Sequence, residues 1–288
     1  MGYLKIPNLY KDQSILLFKR VYALEKAHGT SCHVAWDNNQ IRLFCGGCKQ
    51  TLFDAIFNQE ELKSKFIENG FLDKKVIIYG EGYGGGKMQG MQDTYGPDLK
   101  FIAFDVKIDD VWLSVPQAND VVNKMGLEFI PYMETSTDLV ELDGQRDADS
   151  IIAIRNGMGP GKIREGIVIR PLIELTDNRG NRIIAKHKRD EFRETKTPRA
   201  VEDPAKLKTL QDAESIAIEW VTEMRLNHVL QKIPDHSLEK MRYIIGGMID
   251  DILIEGKGEI IDSPAVRKAI STKTAVMYKK KICQILQN

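Results

Sequence analysis

The first clear folding signal of the chain is the stretch 32–44, CHVAWDNNQIRLF. Apolar and polar residues alternate on both sides of Asp37-Asn38-Asn39, and alternation interrupted by turn-forming residues is typical of a β-hairpin. Outward from this hairpin, short strands are predicted at 75–79, 99–108, 166–173 and 182–185, and helices at 51–69 and 116–126. Short strands separated by glycine-rich or acidic turns favour antiparallel pairing, so the first 200 residues are predicted to be α+β.

The hydrophobic period becomes helical after the charged stretch 190–206, DEFRETKTPRAVEDPAK, whose two prolines indicate a linker or surface loop. Apolar residues then recur every three or four positions, at Leu207, Leu210, Ala213, Ile216, Trp220 and Met224, and again at Leu238, Met241, Ile245, Met248 and Ile252. A third helix is predicted to begin at Ser263-Pro264, because serine caps a helix and proline is tolerated in its first turn. We expect two domains, 1–202 and a small all-helical domain at 203–288.

The composition is that of an ordinary soluble protein, with 288 residues, 42% hydrophobic and 28% charged. Lys plus Arg and Asp plus Glu each number 41, so affinity for nucleic acid has to come from local clusters of charge. No apolar stretch approaches the roughly 20 residues that span a bilayer, and the start MGYLKIPNLYKDQS has no secretory apolar segment. We expect a cytoplasmic monomer that contacts no membrane.

Four cysteines are present, Cys32, Cys45, Cys48 and Cys283. Cys45-Gly-Gly-Cys48 has the spacing of half a zinc site, but no second Cys or His pair follows at finger-like spacing. We interpret the pair as structural or incidental, with a redox or metal role as the alternative.

A single lysine, Lys26, lies in the segment Glu25-Lys26-Ala27-His28-Gly29 at the end of an apolar run. A lysine amine titrates at about 10.4 in water. It becomes a nucleophile only where burial or nearby positive charge, such as a metal ion, removes its proton. Taken alone the segment is a polar turn, and a catalytic role for Lys26 requires a phosphate donor, a metal and counter-charges from elsewhere in the chain.

Two glycine-rich segments have features of phosphate-binding loops. Residues 80–85, GEGYGG, fit G-x-G-x-x-G, but the following KMQGMQDTYGPD is loop-like, whereas a dinucleotide fingerprint opens a helix. Residues 157–162 end in Gly-Lys, yet Asn156 stands where a P-loop has its first glycine and Ile163 where it has Ser or Thr. Neither segment predicts a classical nucleotide-binding loop.

Charged residues also stand at the ends of several predicted strands. Glu81 follows KKVIIY, Asp105 follows apolar residues and Phe104, and Glu165 precedes a strand rich in β-branched residues. Lys186 and Lys188 point to the same face of a strand, because side chains alternate with period two. Each of these residues alone is compatible with a solvated strand end, but two ammonium groups on one face repel each other unless a polyanion lies between them.

The order of these pieces resembles a known family. Lys26-x-His28-Gly29, Tyr79-Gly80-Glu81, Ala103-Phe104-Asp105, Glu165-Gly166-Ile167-Val168 and Lys186-x-Lys188 are similar to the motif series of covalent nucleotidyltransferases, the ATP-dependent ligases and RNA capping enzymes. The histidine, the GEGYGGG turn and the short helical tail most resemble the phage T4 RNA ligase 2 family, which includes trypanosome RNA-editing ligases. The resemblance covers nearly the whole chain. It implies an antiparallel-sheet nucleotidyltransferase domain with an ATP-grasp-like ligase fold.

The resemblance also implies an activity, an ATP-dependent RNA ligase that joins 3′-hydroxyl and 5′-phosphate ends, preferably at nicks in duplex RNA. Lys26 would carry AMP as a covalent lysyl-AMP intermediate, and the cofactors would be ATP and Mg²⁺ or Mn²⁺. The family assigns catalytic roles to Lys26, His28, Lys186 and Lys188. It assigns nucleotide binding to Glu25, Lys26, Glu81, Phe104, Glu165, Lys186, Lys188 and Arg42, and metal contacts to Glu165 and Asp105.

Within this set the family implies particular contacts. Phe104 would stack on adenine, Glu81 would contact the ribose, and His28 would act near the leaving pyrophosphate. The basic residue expected after the first motif is either Arg42 or Lys49, and Ser31 stands where the family commonly has asparagine.

The helical tail carries six basic residues and no acidic ones from 263 to 288, namely Arg267, Lys268, Lys273, Lys279, Lys280 and Lys281. This clustering favours contact with an RNA backbone, with an ordinary solvated face as the alternative. Two other functions remain open at this stage, a ligase that seals DNA or hybrid nicks and a catalytically silent RNA-binding module. Repair, editing and tRNA restoration are not distinguished.

Overall fold

The computed structural model describes residues 2–85, 91–197, 201, 212–233 and 237–287, the last five of these by their backbone only. The chain divides into two compact units, Met1–Arg189 and Asp190–Asn288. This division falls earlier than the predicted boundary after residue 202, because part of the charged stretch is tied to the helical unit. The Lys196 N–H donates to the Glu219 carbonyl (2.8 Å), and the Thr197 hydroxyl donates to the Glu219 carboxylate (2.7 Å).

The first unit contains two antiparallel sheets, which confirms the predicted α+β class. The four-stranded sheet has the order β7-β1-β8-β9, with β1 at Arg20–Lys26, β7 at Tyr132–Ser136, β8 at Gly166–Pro171 and β9 at Ala185–Lys188. The five-stranded sheet has the order β3-β2-β4-β5-β6, with β2 at Thr30–Asp37, β3 at Gln40–Cys45, β4 at Val76–Tyr83, β5 at Lys100–Ile108 and β6 at Val111–Trp112.

The helices of this unit are α1 Gln50–Asp54, α2 Gln59–Glu68, α3 Gln92–Tyr95, α4 Val115–Lys124, α5 Leu139–Asp147 and α6 Ile151–Arg155, with 3₁₀ turns at Ser14–Leu17 and, opening the second unit, Asp190–Phe192. The core packs α2 and α4 against one face of the five-stranded sheet. Trp36 of β2 and Phe66 of α2 stack there with ring centroids 5.1 Å apart.

The predicted hairpin is present as β2 and β3. Its turn is Asn38-Asn39, and both residues have positive φ (51° and 59°), as a type I′ turn requires. The helix predicted at 51–69 is two helices, because the Asn58 side chain accepts the Glu61 N–H and starts α2 anew. The strand predicted at 182–185 lies later, at β9, since Arg182 is used in an isolated bridge to Thr176. β7 and the short β6 are strands that the sequence did not predict.

The second unit is helical, with α7 Ala213–Trp220, α8 Glu223–Gln231, a 3₁₀ turn at Leu238–Lys240, α9 Met241–Glu255 and α10 Pro264–Gln287. Leu207 and Leu210 lie outside the described residues. The first predicted run of helical periodicity forms two helices, α7 and α8. They separate after Trp220, where the Thr222 side chain accepts the Arg225 N–H and caps α8. The core gathers Trp220, Leu226, Ile244, Met248, Ile252, Ile270 and Tyr278. No helix among the described residues is long and apolar enough to span a membrane.

Candidate active site

The candidate site is built where β1 ends beside the start of β8. Lys26 is the last residue of β1 and is paired with Gly166, and the Glu165 N–H donates to the Lys26 carbonyl (3.2 Å). Gly166 has φ +147°, and a Cβ there would overlap the His187 carbonyl on the adjacent strand β9. Only glycine allows the three strands to approach so closely, and this approach fixes Glu165 next to Lys26.

Glu165 is the centre of a compact charge cluster. Its Oε2 atom accepts from Lys26 Nζ (2.8 Å) and lies 3.1 Å from His28 Nδ1, while Oε1 lies 2.9 Å from Lys188 Nζ. The Glu165 side chain is 2% exposed and that of Lys26 is 21% exposed. Lys26 is thus the member of the pair that solvent or a ligand reaches.

The same neighbours determine the ionisation of Glu165. Burial would raise the pKa of Glu165, but the charges of Lys188, Lys26 and His28 hold it well below its usual range. The carboxylate is therefore ionised at neutral pH. Removal of either lysine leaves a buried negative charge less compensated.

Glu81 approaches the cluster from the five-stranded sheet. Its carboxylate accepts the Gly29 N–H, and burial raises the pKa of Glu81 to about 8, with Lys26 acting in the opposite direction. A Cβ on Gly29 would overlap the Gly82 carbonyl, so the glycine of the predicted lysine motif permits this close approach. Ser31 is paired with Glu81 across β2 and β4.

A residue that the sequence interpretation missed supports the same turn. Tyr95 of α3 is fully buried, and its hydroxyl accepts the His28 backbone N–H (3.2 Å). Its ring packs edge-on against Tyr83, with centroids 5.4 Å apart. Nothing local in the loop sequence indicates this contact, because Tyr95 is 67 residues from His28.

Strand β9 carries the two predicted lysines. Lys186 is paired with Val168 and Lys188 with Gly166, so both lie on the face of the four-stranded sheet that carries Lys26. The backbone of Lys186 is clamped by an N-terminal segment, since its N–H donates to the Pro7 carbonyl (2.8 Å) and its carbonyl accepts the Leu9 N–H (2.9 Å). The structure thus places Lys186 two positions along β9 from Lys188, on the same face.

Phe104 and Asp105 have different environments. Phe104 is half-buried, and its ring contacts Tyr3 edge-on at 4.9 Å. Asp105 is fully buried, and its oxygens bind the guanidinium groups of Arg170 (3.0 Å) and Arg182 (2.6 Å) and the Tyr3 hydroxyl (2.6 Å). Both oxygens thus belong to a network that joins the two sheets, and the expected metal contact of Asp105 stays a prediction.

Glu25 precedes Lys26 in β1, and its side chain is buried. Its carboxylate accepts the Ser150 hydroxyl (2.5 Å) and the Ile151 N–H (2.9 Å) at the start of α6. The side chain thus caps the start of α6, and its contact with the nucleotide stays a prediction. Arg42 lies on the exposed surface of the edge strand β3, opposite Ala35, and Lys49 is exposed before α1. Both residues are exposed, so both Arg42 and Lys49 stay candidates for the basic residue that the family has after the first motif.

A divalent ion fits one carboxylate of this cluster. Glu165 Oε1 is buried and lacks a well-directed hydrogen bond, although Lys188 Nζ is near it. An oxygen ligand of this kind suits Mg²⁺, which takes one or two carboxylates together with phosphate oxygens and water. Elsewhere in the described residues, Glu194, Asp251 and Glu255 offer ligand atoms within 4.8 Å of one another. They surround the guanidinium of Arg225, whose single positive charge offsets part of theirs.

The chain is similar to known proteins in sequence and in fold. The sequence model of the RNA ligase family matches residues 19–188, a range that contains Lys26, Glu81, Phe104, Glu165 and both lysines of β9. No curated protein matches the chain.

Solved structures with a similar fold include RNA ligases of Naegleria gruberi. An RNA ligase R4a mutant without ligand aligns with TM-score 0.50 and 15% identity, over 67% of this chain and 57% of that one. A second mutant structure, with ATP and Mn, aligns with TM-score 0.47 and 15% identity, over 67% of this chain and 56% of that one. The first of these supports the fold alone, and the chain spans little more than half the length of these relatives.

Proposed function

Because the chain belongs to the RNA ligase family, we propose that it joins 3′-hydroxyl and 5′-phosphate ends of RNA at the expense of ATP, through an AMP adduct of Lys26. The observation that supports this most directly is the contact of Lys26 Nζ with the buried carboxylate of Glu165 (2.8 Å). Lys26 is partly exposed and is held among ionised and cationic groups. A lysine in such surroundings can act as a covalent nucleophile.

In the first step the Lys26 amine attacks the α-phosphorus of ATP. A P–N bond forms, and the bond between the α-phosphorus and the oxygen bridging to the β-phosphate breaks, so pyrophosphate leaves. The amine has to lose a proton before it attacks. Lys188 Nζ lies 2.9 Å from the same carboxylate. Glu165 therefore divides its negative charge between two ammonium groups, and it holds the proton of Lys26 less strongly than it would if Lys26 were its sole partner.

Mg²⁺ or Mn²⁺, bound through Glu165, would neutralise charge on the phosphate oxygens and favour the unprotonated amine of Lys26. His28 lies against the same carboxylate and orients the site on the pyrophosphate side. Positioning and charge neutralisation are what phosphoryl-type transfers mainly require, and the residues of this chain provide both.

The second and third steps use the same surface. A 5′-phosphate oxygen of RNA attacks the AMP phosphorus and releases Lys26, and a 3′-hydroxyl then attacks the 5′-phosphorus and releases AMP. Lys186 and Lys188 on the shared sheet face neutralise phosphate oxygens in these steps. Cationic groups fixed before the reaction act without reorganisation.

The nucleoside is held by residues of β4 and β5. Phe104 is half-buried and offers an aromatic face to adenine. Glu81, with a pKa of about 8 because of burial, is protonated in much of the population at neutral pH and donates a hydrogen bond to a ribose hydroxyl. Arg42 or Lys49 supplies a further basic contact.

The test is incubation with ATP and Mg²⁺ followed by intact-mass measurement. We expect an adduct of the mass of AMP on the wild type and none on Lys26→Arg, which keeps the charge but removes the nucleophile. Lys63→Arg, an exposed lysine of α2, is the matched control and retains the adduct. An adduct that persists in Lys26→Arg contradicts the mechanism.

A second assay concerns the RNA. Nicked duplexes with either RNA or DNA at the 3′-hydroxyl side differ at the 2′-hydroxyl, the group by which a protein distinguishes the two. We expect sealing of the RNA-ended nick to be faster. Equal or faster sealing of the DNA-ended nick would contradict the preference for RNA ends. It would not affect the proposed AMP adduct of Lys26.

A further inference from the structure

Two buried hydroxyl groups bind the chain on either side of Lys26. Glu25, the preceding residue, is 3% exposed, and its carboxylate accepts the Ser150 hydroxyl (2.5 Å). On the other side, the backbone N–H of His28 donates to the Tyr95 hydroxyl (3.2 Å). The Lys26 side chain between these contacts is 21% exposed. The two hydroxyls therefore restrict the backbone around Lys26 while its amine stays accessible.

Both hydroxyls are connected to helix α6. Ser150 caps the start of α6, where its oxygen accepts the Ala153 N–H (3.1 Å). Asn156 follows the last residue of α6, and its side-chain amide donates to the Tyr95 carbonyl (2.9 Å). The other end of that amide accepts from Lys100 Nζ (2.9 Å), which fixes its orientation. The two ends of α6 are thus linked to opposite sides of the lysine turn.

The position of the Tyr95 hydroxyl is set by residues outside the lysine turn. The side chain is fully buried, and its ring packs edge-on against Tyr83 of β4. The next residue, Gly96, has φ +99° and ends α3. Its carbonyl accepts the Gly85 N–H (3.1 Å), which ties the end of α3 to the segment after β4. Tyr95 therefore presents a fixed acceptor to the His28 N–H.

We propose that Tyr95 and Ser150 are positioning residues that fix Lys26 for attack on the α-phosphorus of ATP. Tyr95 acts through the backbone of His28, and Ser150 acts through the side chain of Glu25. The inference rests on the proposed function, because it requires that Lys26 forms the AMP adduct.

The proposal distinguishes the steps of the reaction. The first step forms a bond to Lys26 and needs its amine in line with the α-phosphorus. The last step, attack of a 3′-hydroxyl on an adenylated 5′-phosphate, forms and breaks no bond to Lys26. Because a small displacement of a reacting group slows only the steps in which that group reacts, loss of either hydroxyl should slow the first step selectively.

Tyr95→Phe tests this, since it removes the acceptor and keeps the buried ring. We expect the single-turnover rate constant for AMP-adduct formation at saturating ATP to fall about tenfold, the equivalent of one hydrogen bond. The ATP concentration for half-saturation should not change. The full-length variant should seal a nicked duplex with a pre-adenylated 5′ end at the wild-type rate.

Tyr278→Phe is the matched control. It removes a similarly buried hydroxyl, which donates to the Ser237 carbonyl (3.1 Å) in the helical unit, and it should keep both rates. Ser150→Ala is the second test variant and should show the same selective decrease. The decrease should be smaller, because the Ile151 and Ile152 N–H groups still donate to Glu25. Urea unfolding identifies a variant that fails to fold, and the other variant then decides the test.

The outcomes separate the positioning role from the proposed function. Absence of an AMP adduct on the wild type contradicts the proposed function itself. A wild-type adduct together with an unchanged rate in Tyr95→Phe overturns the positioning role of Tyr95 alone. Equal decreases in adduct formation and in sealing of the pre-adenylated end also overturn it, because they indicate a general structural effect.

Discussion

At the scale of single residues, Glu165 stands out because one carboxylate contacts Lys26, His28 and Lys188. The sequence predicted each of these residues by its position in the motif series, but not their contacts. The sequence also did not predict contacts that depend on a distant partner. Glu25 and Asp105 both belong to predicted motifs, and their side chains are used for a helix cap and for a buried ion network.

Asp105→Asn tests this second role. The substitution leaves the buried guanidinium groups of Arg170 and Arg182 with Glu174 as their remaining carboxylate partner, and breaking the buried pairs with Asp105 costs about 3–5 kcal/mol. Urea unfolding should show this destabilisation as a lower midpoint with an unchanged slope. The Mg²⁺ concentration that half-saturates AMP-adduct formation should stay the same, and a large increase would restore Asp105 as a metal ligand.

His187 gives a pH-dependent prediction. Burial lowers the pKa of His187, although its hydrogen bond to Asp143 (2.6 Å) acts in the opposite direction and Arg146 acts with burial. The folded chain therefore keeps this imidazole neutral at pH values where the unfolded chain, with a pKa of about 6.5, already binds a proton. The unfolded state binds more protons, so stability falls as the pH drops below about 6.5.

Thermal or urea unfolding between pH 7.5 and 5.5 measures this effect. His187→Asn should lose less stability over the interval than the wild type. His33 also has a pKa lowered by burial, so part of the slope should remain in the single variant and decrease further in His33→Asn/His187→Asn. An unchanged slope in both variants would assign the acid sensitivity to other groups.

At the scale of elements, prediction succeeded where the signal was local. The hairpin of β2 and β3 was predicted because Asn38 and Asn39 take the positive φ that its turn needs. β7 was not predicted, because it pairs with β1, more than a hundred residues earlier in the chain, and has no hairpin turn of its own to mark it. α6 was missed for a related reason, since its cap comes partly from Glu25, more than a hundred residues away.

Gly29→Ala tests the contact between the lysine turn and β4. The added Cβ would overlap the Gly82 carbonyl, so the turn has to move, at a cost of about 1–3 kcal/mol. A shift of about 1 Å at a reacting group lowers a rate about 100-fold, and we expect such a decrease in AMP-adduct formation. Single-turnover kinetics with the variant measure it.

The matched control is Gly144→Ala in α5, where an added Cβ meets nothing within 4 Å. Because glycine destabilises a helix interior, this variant should gain about 0.4–1 kcal/mol and keep the wild-type rate. A normal rate in Gly29→Ala would show that β4 yields without displacing Lys26.

At the scale of the whole molecule, the chain has two units with separate cores. The basic tail was predicted from charge alone. In the structure Lys268, Lys279 and Lys280 of α10 are exposed, while Arg267 pairs with Asp262 (2.7 Å). The exposed lysines are the ones available to phosphates of RNA.

Lys268→Glu, Lys279→Glu and Lys280→Glu, combined, test this surface. RNA affinity should fall, and the slope of log affinity against log salt should decrease by about 1 for each phosphate that a lysine no longer neutralises. AMP-adduct formation should stay normal, because it needs no RNA. Binding titrations at several salt concentrations measure the slope, with Lys63→Glu of α2 as the control. An equal decrease in the RNA affinity of the control would show that the effect comes from the overall charge of the protein and not from this surface of α10.

The pairing of β1 with β8 has a kinetic consequence. Lys26 and Glu165 are 139 residues apart in the chain, so their contact closes one of the longest loops of the first unit and has to form late in folding. A nascent or partly folded chain then holds Lys26 but lacks its contact with Glu165, on which the proposed adduct depends. Such a chain cannot consume nucleotide wastefully, and during refolding the recovery of AMP-adduct formation should lag behind the recovery of helical signal.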